Sequence, residues 1–246
     1  MNNSKIGAYS RIIVAIIIVA GFIAGSFYVT SGFVKIKSGS NVITVTGSAK
    51  KQITSDLVVW TGTFTAKSQD LKAAYSLLAD NKTSVQSYLD NQGLTDKIVY
   101  SSITMNIHYV MGQYGMPTSQ VESYELSQDV TISSADIDKV TDISRNITEL
   151  INDGVQFQSQ PPQYMYTKIA DLKIEMLAAA TKDASTRAQM IAENAGSKLG
   201  KLKSASMGVF QITPKYSNDV TDSGINDTSS LEKEITAVVN CQFYVK

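Results

Sequence analysis

Few side chains in this 246-residue chain are of the types that carry out acid–base or nucleophilic chemistry. His108 is the single histidine, so a Ser-His-Asp or Cys-His arrangement would have to use it. It lies on the polar side of a predicted strand with Thr104 and Asn106, which is typical of an exposed residue. Cys241 is the single cysteine and alternates with core aliphatic residues, which indicates a small buried side chain. The sequence therefore predicts no catalytic residues, and we expect a protein that is not an enzyme.

The carboxylates and glycines give no clear pattern for a metal or a cofactor. Asp136 and Asp138 fall in the first turn of a predicted helix, where the helix dipole stabilises carboxylates. No zinc-ligand, EF-hand or dinucleotide-binding spacing occurs. The segment 196–201 (GSKLGK) is too short for a phosphate loop, and it ends a helix where such a loop would begin one. We expect no metal and no cofactor, and carboxylates distant in the chain remain an open alternative.

Two loops contain Met and Tyr residues, which are enriched at the centres of protein interfaces. The residues are Met111, Tyr114 and Met116 in the first loop, and Tyr164, Met165 and Tyr166 in the second, after Pro161 and Pro162. They are the candidate contacts with another subunit or with a ligand. The alternative is that these side chains fold back on the sheet.

Hydrophobic periodicity predicts the elements that position these loops. Strands are predicted at 42–48, 57–67, 98–110, 121–133, 155–159, 203–213 and 234–245, and helices at 70–91, 136–153 and 168–195. The segment 111–119 is predicted as a hairpin loop. Alternation places Ile103, Met105, Ile107 and Tyr109 on one side of their strand, and Ile235, Ala237, Val239, Cys241 and Phe243 on the buried side of the last strand. The fold class is α+β, with mostly antiparallel strands and three helices.

The N-terminal part of the chain has the composition of a membrane segment. Residues 12–34 contain no charged side chain and are long enough as a helix to cross a bilayer. We predict a cytoplasmic tail at 1–11, a transmembrane signal anchor at 12–34, a linker at 35–41 and one extracytoplasmic domain at 42–246. The alternative is a cleaved signal peptide. Gly21 and Gly25 form a small-xxx-small pattern, which predicts close packing of membrane helices.

The charge balance excludes one class of partner. The chain has 22 basic and 22 acidic residues, and the part after residue 35 is mildly acidic. A protein that binds nucleic acid normally presents a basic patch. We therefore expect no nucleic-acid partner.

Several short motifs follow one another in a characteristic order along the predicted domain. They are 43–49 (ITVTGSA), 56–60 (DLVVW), 93–98 (GLTDKI), 124–131 (YELSQDVT), 136–140 (DIDKV), 150–157 (LINDGVQF), 187–196 (RAQMIAENAG) and 198–201 (KLGK). In this order they resemble the SIMPL-domain family, also called DUF541, over about residues 42–245. The resemblance implies an α+β domain of the bacterial cell envelope without established catalytic residues. It also implies a loose association with stress tolerance, and ring-like homo-oligomers are known in the family.

These observations predict a single-pass protein of the bacterial cytoplasmic membrane that is not catalytic and that assembles into a homo-oligomer. One alternative is an extracytoplasmic domain that binds a small ligand, with the two Met- and Tyr-containing loops lining a pocket. Another is a hydrolase that uses dispersed carboxylates and a metal.

Overall fold

The computed structural model describes residues 19, 21–23, 25–26, 41–94 and 97–246. The predicted tail 1–11 and most of the predicted membrane helix 12–34 and linker 35–41 lie outside the described residues. Within 12–34, the described residues are helical. In the described part of the chain, no helix combines the length and the hydropathy needed to cross a membrane.

The chain forms two compact units. One contains Thr181–Ser206 and Val239–Lys246 together with the described residues up to Gly47, and the other contains Ser48–Ala180 and Met207–Val238. The candidate site residues beyond the N-terminal segment all belong to the second unit.

After residue 40, the described part of the chain forms strands with three α-helices between them. In chain order they are β1 (Val42–Thr54), β2 (Leu57–Ser68), α1 (Leu71–Asn91), β3 (Ile98–Tyr100), β4 (Thr104–Met111), β5 (Pro117–Ser134), α2 (Ile137–Asn146), β6 (Gln156–Ser159), β7 (Gln163–Met165), α3 (Ile169–Asn194), β8 (Leu199–Met207), β9 (Gln211–Pro214), β10 (Ile225–Asn226) and β11 (Glu232–Val245). A 3₁₀ helix (Ile147–Asp153) continues α2.

The strands form two sheets. In the first sheet the order is β1-β11-β9-β10, and β8 also pairs with β11. In the second sheet the order is β3-β5-β2-β6, with β4 beside β5 and β7 beside β2, and every pair is antiparallel. The predicted α+β fold of mostly antiparallel strands with about three helices is confirmed.

The main core lies between the second sheet and α1, α2 and the 3₁₀ helix. Alternate residues of β2 are buried there, and Trp60 stacks on Phe157 with ring centroids 6.1 Å apart. The indole N–H of Trp60 donates to Ser159 Oγ at 3.0 Å. A Cβ at Gly62 would lie 2.3 Å from the Phe157 ring, so only glycine fits this position. Burial of this alternating set fixes the register of β2, because a shift by one residue would expose it.

Several predicted elements differ in extent from the observed ones. The predicted helix 136–153 changes to a 3₁₀ helix at Ile147 and ends at Gly154, which has a left-handed φ of 86°. The predicted strand 203–213 is two strands, β8 and β9. The predicted strand 98–110 is likewise divided into β3 and β4. The short strands β7 and β10 were not predicted, because two or three residues carry no readable periodicity.

Burial agrees with the predicted pattern in the last strand. The five alternating residues of β11 from Ile235 to Phe243 are all buried, as predicted. In α1 the buried face runs through Ala74, Leu78 and Val85, whereas Leu71 and Tyr75 are exposed. The apolar side of β4 is exposed along its whole length.

Candidate functional site

A two-stranded ribbon extends past the end of β2. Residues 124–134 of β5 pair with β2, and the last of these pairs joins Ser68 with Tyr124. The preceding residues of β5 pair only with β4 among the described strands, from His108 opposite Ser123 to Met111 opposite Pro117. We call residues 108–123 the arm. Among the described strands no third one pairs with the arm, so the arm is a two-stranded ribbon that leaves its apolar side chains largely unburied.

The tip of the arm holds three large side chains in solvent. Tyr114 is 91% exposed, Met116 70% and Met111 68%. Tyr114 has a φ of 76° and Gly115 a φ of 70°, and the turn is closed by a hydrogen bond from Gly112 N to Met116 O at 2.8 Å. A left-handed conformation is unfavourable for an aromatic residue, and such strain tends to persist at functional sites.

The exposed apolar surface continues from the tip past the base of the arm, along β4 and the residue before it. Ile103, Met105, Ile107 and Tyr109 are each 38% to 48% exposed. No Asp, Glu, Lys or Arg occurs from Ile98 to Val121. The surface from Ile103 to Met116 is therefore an uncharged, largely apolar patch, of the kind that marks an interaction site.

His108 lies on the arm but makes a structural contact. Its Nε2 is 2.6 Å from Glu125 Oε2 on the neighbouring strand, and both side chains are partly exposed. The pair links β4 to β5 where the arm leaves the sheet.

A cleft of about 650 Å³ lies elsewhere in the same unit. Its walls come from β7, the start of α3, and the segments 207–212 and 223–228. Most of the lining surface is apolar, and the apolar side chains among the lining residues are Met165, Ile169, Met207, Val209, Phe210, Ile212 and Ile225. Lys173 also lines the cleft, with its ammonium group 5.5 Å from the centre of the Phe210 ring. This size and lining are typical of binding sites.

The floor of the cleft is organised by a buried lysine. Lys233 is 2% exposed, and its Nζ donates to Tyr164 O at 2.6 Å and to Asp227 O at 2.5 Å. Burial lowers the pKa of Lys233, and the nearby charge of Asp227 acts in the opposite direction. Two backbone oxygens thereby receive a charged hydrogen-bond donor.

The neighbouring carboxylate orders the loop beside that lysine. Asp227 Oδ1 accepts hydrogen bonds from the backbone N of Ser229 at 2.9 Å and from its hydroxyl at 2.6 Å. Burial acts to raise the pKa of Asp227, but these hydrogen bonds, together with one from Ser230 and the charge of Lys233, lower it below its ordinary value.

Asp56 fixes the wall formed by β7 and the start of α3. Its two carboxylate oxygens accept hydrogen bonds from Thr167 N at 2.7 Å and from Thr167 Oγ1 at 2.8 Å. Burial acts to raise the pKa of Asp56, but the bonds from Thr167 outweigh it and lower the pKa below its ordinary value. The backbone N of Asp56 also donates to Met165 O. β7 and the start of α3 are therefore held at a fixed distance from each other.

The structure places the predicted site residues in two separate groups. Met111, Tyr114 and Met116 are at the arm tip, and Tyr164, Met165 and Tyr166 line the cleft. The side chain of Tyr164 also packs against the main core, and its hydroxyl shares a hydrogen bond with Thr141. Gly21 and Gly25 are helical, and no described atom lies within 4 Å of a Cβ built on either one.

The other side chains of reactive types are buried or have a structural role. Cys241 is fully buried, and burial raises the pKa of its thiol. Asp136 Oδ1 accepts a hydrogen bond from Lys139 N as the cap of α2. Among the described residues, no group of three His, Cys, Asp or Glu side chains has the arrangement needed to hold a metal ion.

Lys233 and the segment 207–212 were missed by sequence reasoning. One signal was available for the lysine, because the alternation of the last strand places Lys233 on the same side as Ile235 and Ala237. No comparable signal marks the segment 207–212, since its role depends on which distant segments face it.

Comparison with known families gives one match. The family model described as SIMPL, protein of unknown function (DUF541), matches residues 43–243. No curated protein matches the chain.

Proposed function

The chain belongs to the SIMPL family, and from that premise we propose that it is a non-catalytic protein of the bacterial cell envelope, anchored in the cytoplasmic membrane, that assembles into a homo-oligomer through its arm. The family description assigns no function. The proposal is therefore supported by the exposed side chains on the surface of the molecule. The single observation that carries the proposal is the uncharged, exposed side of the arm.

The arm has the properties of an interface that lacks its partner. Tyr and Met are enriched at interface centres, where Lys, Glu and Asp are depleted. The arm tip presents one Tyr and two Met side chains that are each more than two-thirds exposed, and its neighbours from Ile98 to Val121 include no charged Asp, Glu, Lys or Arg. A two-stranded ribbon is marginally stable in water, so contact with a partner would also stabilise the arm itself.

A second copy of the chain is the partner that we propose. The predicted anchor at 12–34 would place every copy in the same membrane with the same orientation. Tethering raises the effective concentration of one domain near another, so modest contacts between domains are sufficient for assembly. The extracytoplasmic placement of the domain is part of the same proposal.

Replacing Tyr114 with Asp tests the role of the arm. An aspartate tolerates the left-handed backbone at this position better than tyrosine does, so the fold is expected to be retained. A charge buried in an apolar contact is unfavourable, and we expect self-association to weaken roughly tenfold or more, since each 1.4 kcal/mol corresponds to a factor of ten. Sedimentation velocity of the full-length protein in mild detergent measures the change.

The matched control is Tyr75→Asp. Tyr75 is 57% exposed on α1, outside the arm and the cleft, and this variant is expected to sediment as the wild type does. Equal sedimentation of all three proteins would contradict the proposal.

The cleft supports a second candidate function, the binding of a small ligand. Its volume of about 650 Å³ lies within the range of ordinary ligand sites, and its walls are mostly apolar. A ligand that binds only the folded protein raises the melting temperature. A thermal-shift screen of small amphiphilic compounds tests this function, with Phe210→Ala as the variant expected to lose any shift. A screen in which no compound raises the melting temperature would contradict this second function.

A further inference from the structure

The arm tip and the cleft lie at opposite ends of β2. Met165 of the cleft pairs with Leu57 at the beginning of β2, whereas the arm begins beyond Ser68 at its other end. At about 3.3 Å per residue, these ends are roughly 35 Å apart, and the tip extends roughly 20 Å further. The tip of a subunit is therefore out of reach of the cleft of the same subunit.

The two surfaces have complementary properties. The tip is convex, uncharged and rich in large flexible or aromatic side chains, and the cleft is concave with mostly apolar walls. The buried ammonium group of Lys233 is already bonded to two backbone oxygens. An apolar segment can therefore enter the cleft without separating Lys233 from those acceptors, and flexible methionine side chains adapt to an irregular apolar surface.

We propose that the arm tip of one subunit inserts into the cleft of a neighbouring subunit. The contact joins two different surfaces, so it is head-to-tail, and repetition of such a contact produces a closed ring or an open filament. The proposal rests on the self-association proposed above and specifies which surfaces meet. It also accounts for both groups of Met and Tyr residues, because Met111, Tyr114 and Met116 form one half of the contact, and Met165 and Tyr166 belong to the other.

A symmetric contact and the head-to-tail contact differ in how much exposed apolar surface they cover. A symmetric contact between two tips would bury the tips and leave both clefts open. The head-to-tail contact covers the tip and the cleft of each subunit inside the assembly. The exposed apolar area is then covered at both ends of the second sheet.

Disulfide cross-linking of the full-length protein in mild detergent tests the contact. Gln113 is exposed at the tip, and Ser223 lines the cleft, so Gln113→Cys and Ser223→Cys leave the large apolar side chains unchanged. The native Cys241 is fully buried and is not available to the introduced thiols. Under mild oxidation, the double variant is expected to form a ladder of cross-linked species larger than a dimer.

Three controls separate a head-to-tail contact from the alternatives. An equimolar mixture of the two single variants is expected to yield cross-linked dimers and nothing larger. Each single variant alone is expected to remain uncross-linked. Pairing Gln113→Cys with Ser76→Cys, at an exposed position of α1 outside the cleft, is expected to reduce cross-linking roughly tenfold or more, because docking raises the effective concentration only for thiols that meet.

The outcomes distinguish this proposal from the one on which it rests. If light scattering gives a particle larger than one chain but the double variant does not cross-link, the tip-to-cleft contact is wrong and self-association stands. Dimers formed by Gln113→Cys alone would indicate contact between two tips and would also overturn it. A single-chain mass for the wild-type protein would overturn both proposals.

Discussion

Lys233 is a charged residue on the buried side of β11. Its ammonium group links two segments that are distant in the sequence, because one hydrogen bond reaches β7 and the other reaches the loop after β10. Both bonded oxygens belong to the backbone. β7 and the loop after β10 are too short to be held in place by burying alternate side chains. The floor of the cleft therefore depends on one side chain.

Replacing Lys233 with Met is expected to destabilise the fold. Methionine has a similar length but no donor, so two backbone oxygens lose their hydrogen bonds, and an unsatisfied buried polar group costs about 1–3 kcal/mol. The free energy of unfolding from a urea titration of the full-length protein in mild detergent measures the loss. Lys50→Met is the control, because the Lys50 side chain is 59% exposed and its ion pair with Glu234 is worth about 1 kcal/mol or less. If Lys233→Met is as stable as wild type, Lys233 does not hold the floor together.

The arm is the element whose role differs most from what its sequence pattern predicts. Alternation correctly places Ile103, Met105 and Ile107 on one side of a strand. It does not determine what covers that side, and all three are exposed. β4 pairs only with β5 among the described strands, so it lies at the edge of the sheet. Which strand lies at the edge depends on how the whole sheet is assembled, and the alternation within one strand does not show it.

Hydrogen exchange within β5 tests whether the arm is an independent ribbon. Amides of residues 118–123 are expected to exchange roughly tenfold or more faster than those of residues 126–132 in the Tyr114→Asp variant, because the ribbon opens without disturbing the core. In the proposed wild-type oligomer, the amides near the tip are expected to be protected. Uniform protection along β5 in the variant would contradict this description of the arm.

Long elements could be predicted from the sequence, whereas the cleft could not. The alternation of β11 and the period of α3 extend over many residues, and both elements are present. The cleft is formed by β7, by β10 and by the break between β8 and β9, all of which are short segments without a readable period. The positions of β7 and of the loop after β10 depend on Asp56 and Lys233, which contact residues distant in the sequence.

At the scale of the whole molecule, the proposed self-association accounts for features that a single folded chain leaves unexplained. The arm exposes large apolar side chains at an uncharged tip, and a largely apolar cleft lies at the other end of the same sheet. The family match covers both surfaces within residues 43–243. Among the described residues, neither surface contains a group of three His, Cys, Asp or Glu side chains that could hold a metal ion.

The most direct test of self-association is an image of the full-length wild-type particle in mild detergent. Our account predicts a particle that contains several chains, with the arm of each chain in contact with the next chain and its tip shielded from solvent. Particles with the mass of one 26.7 kDa chain, or assemblies whose arms all extend freely into solvent, would contradict it.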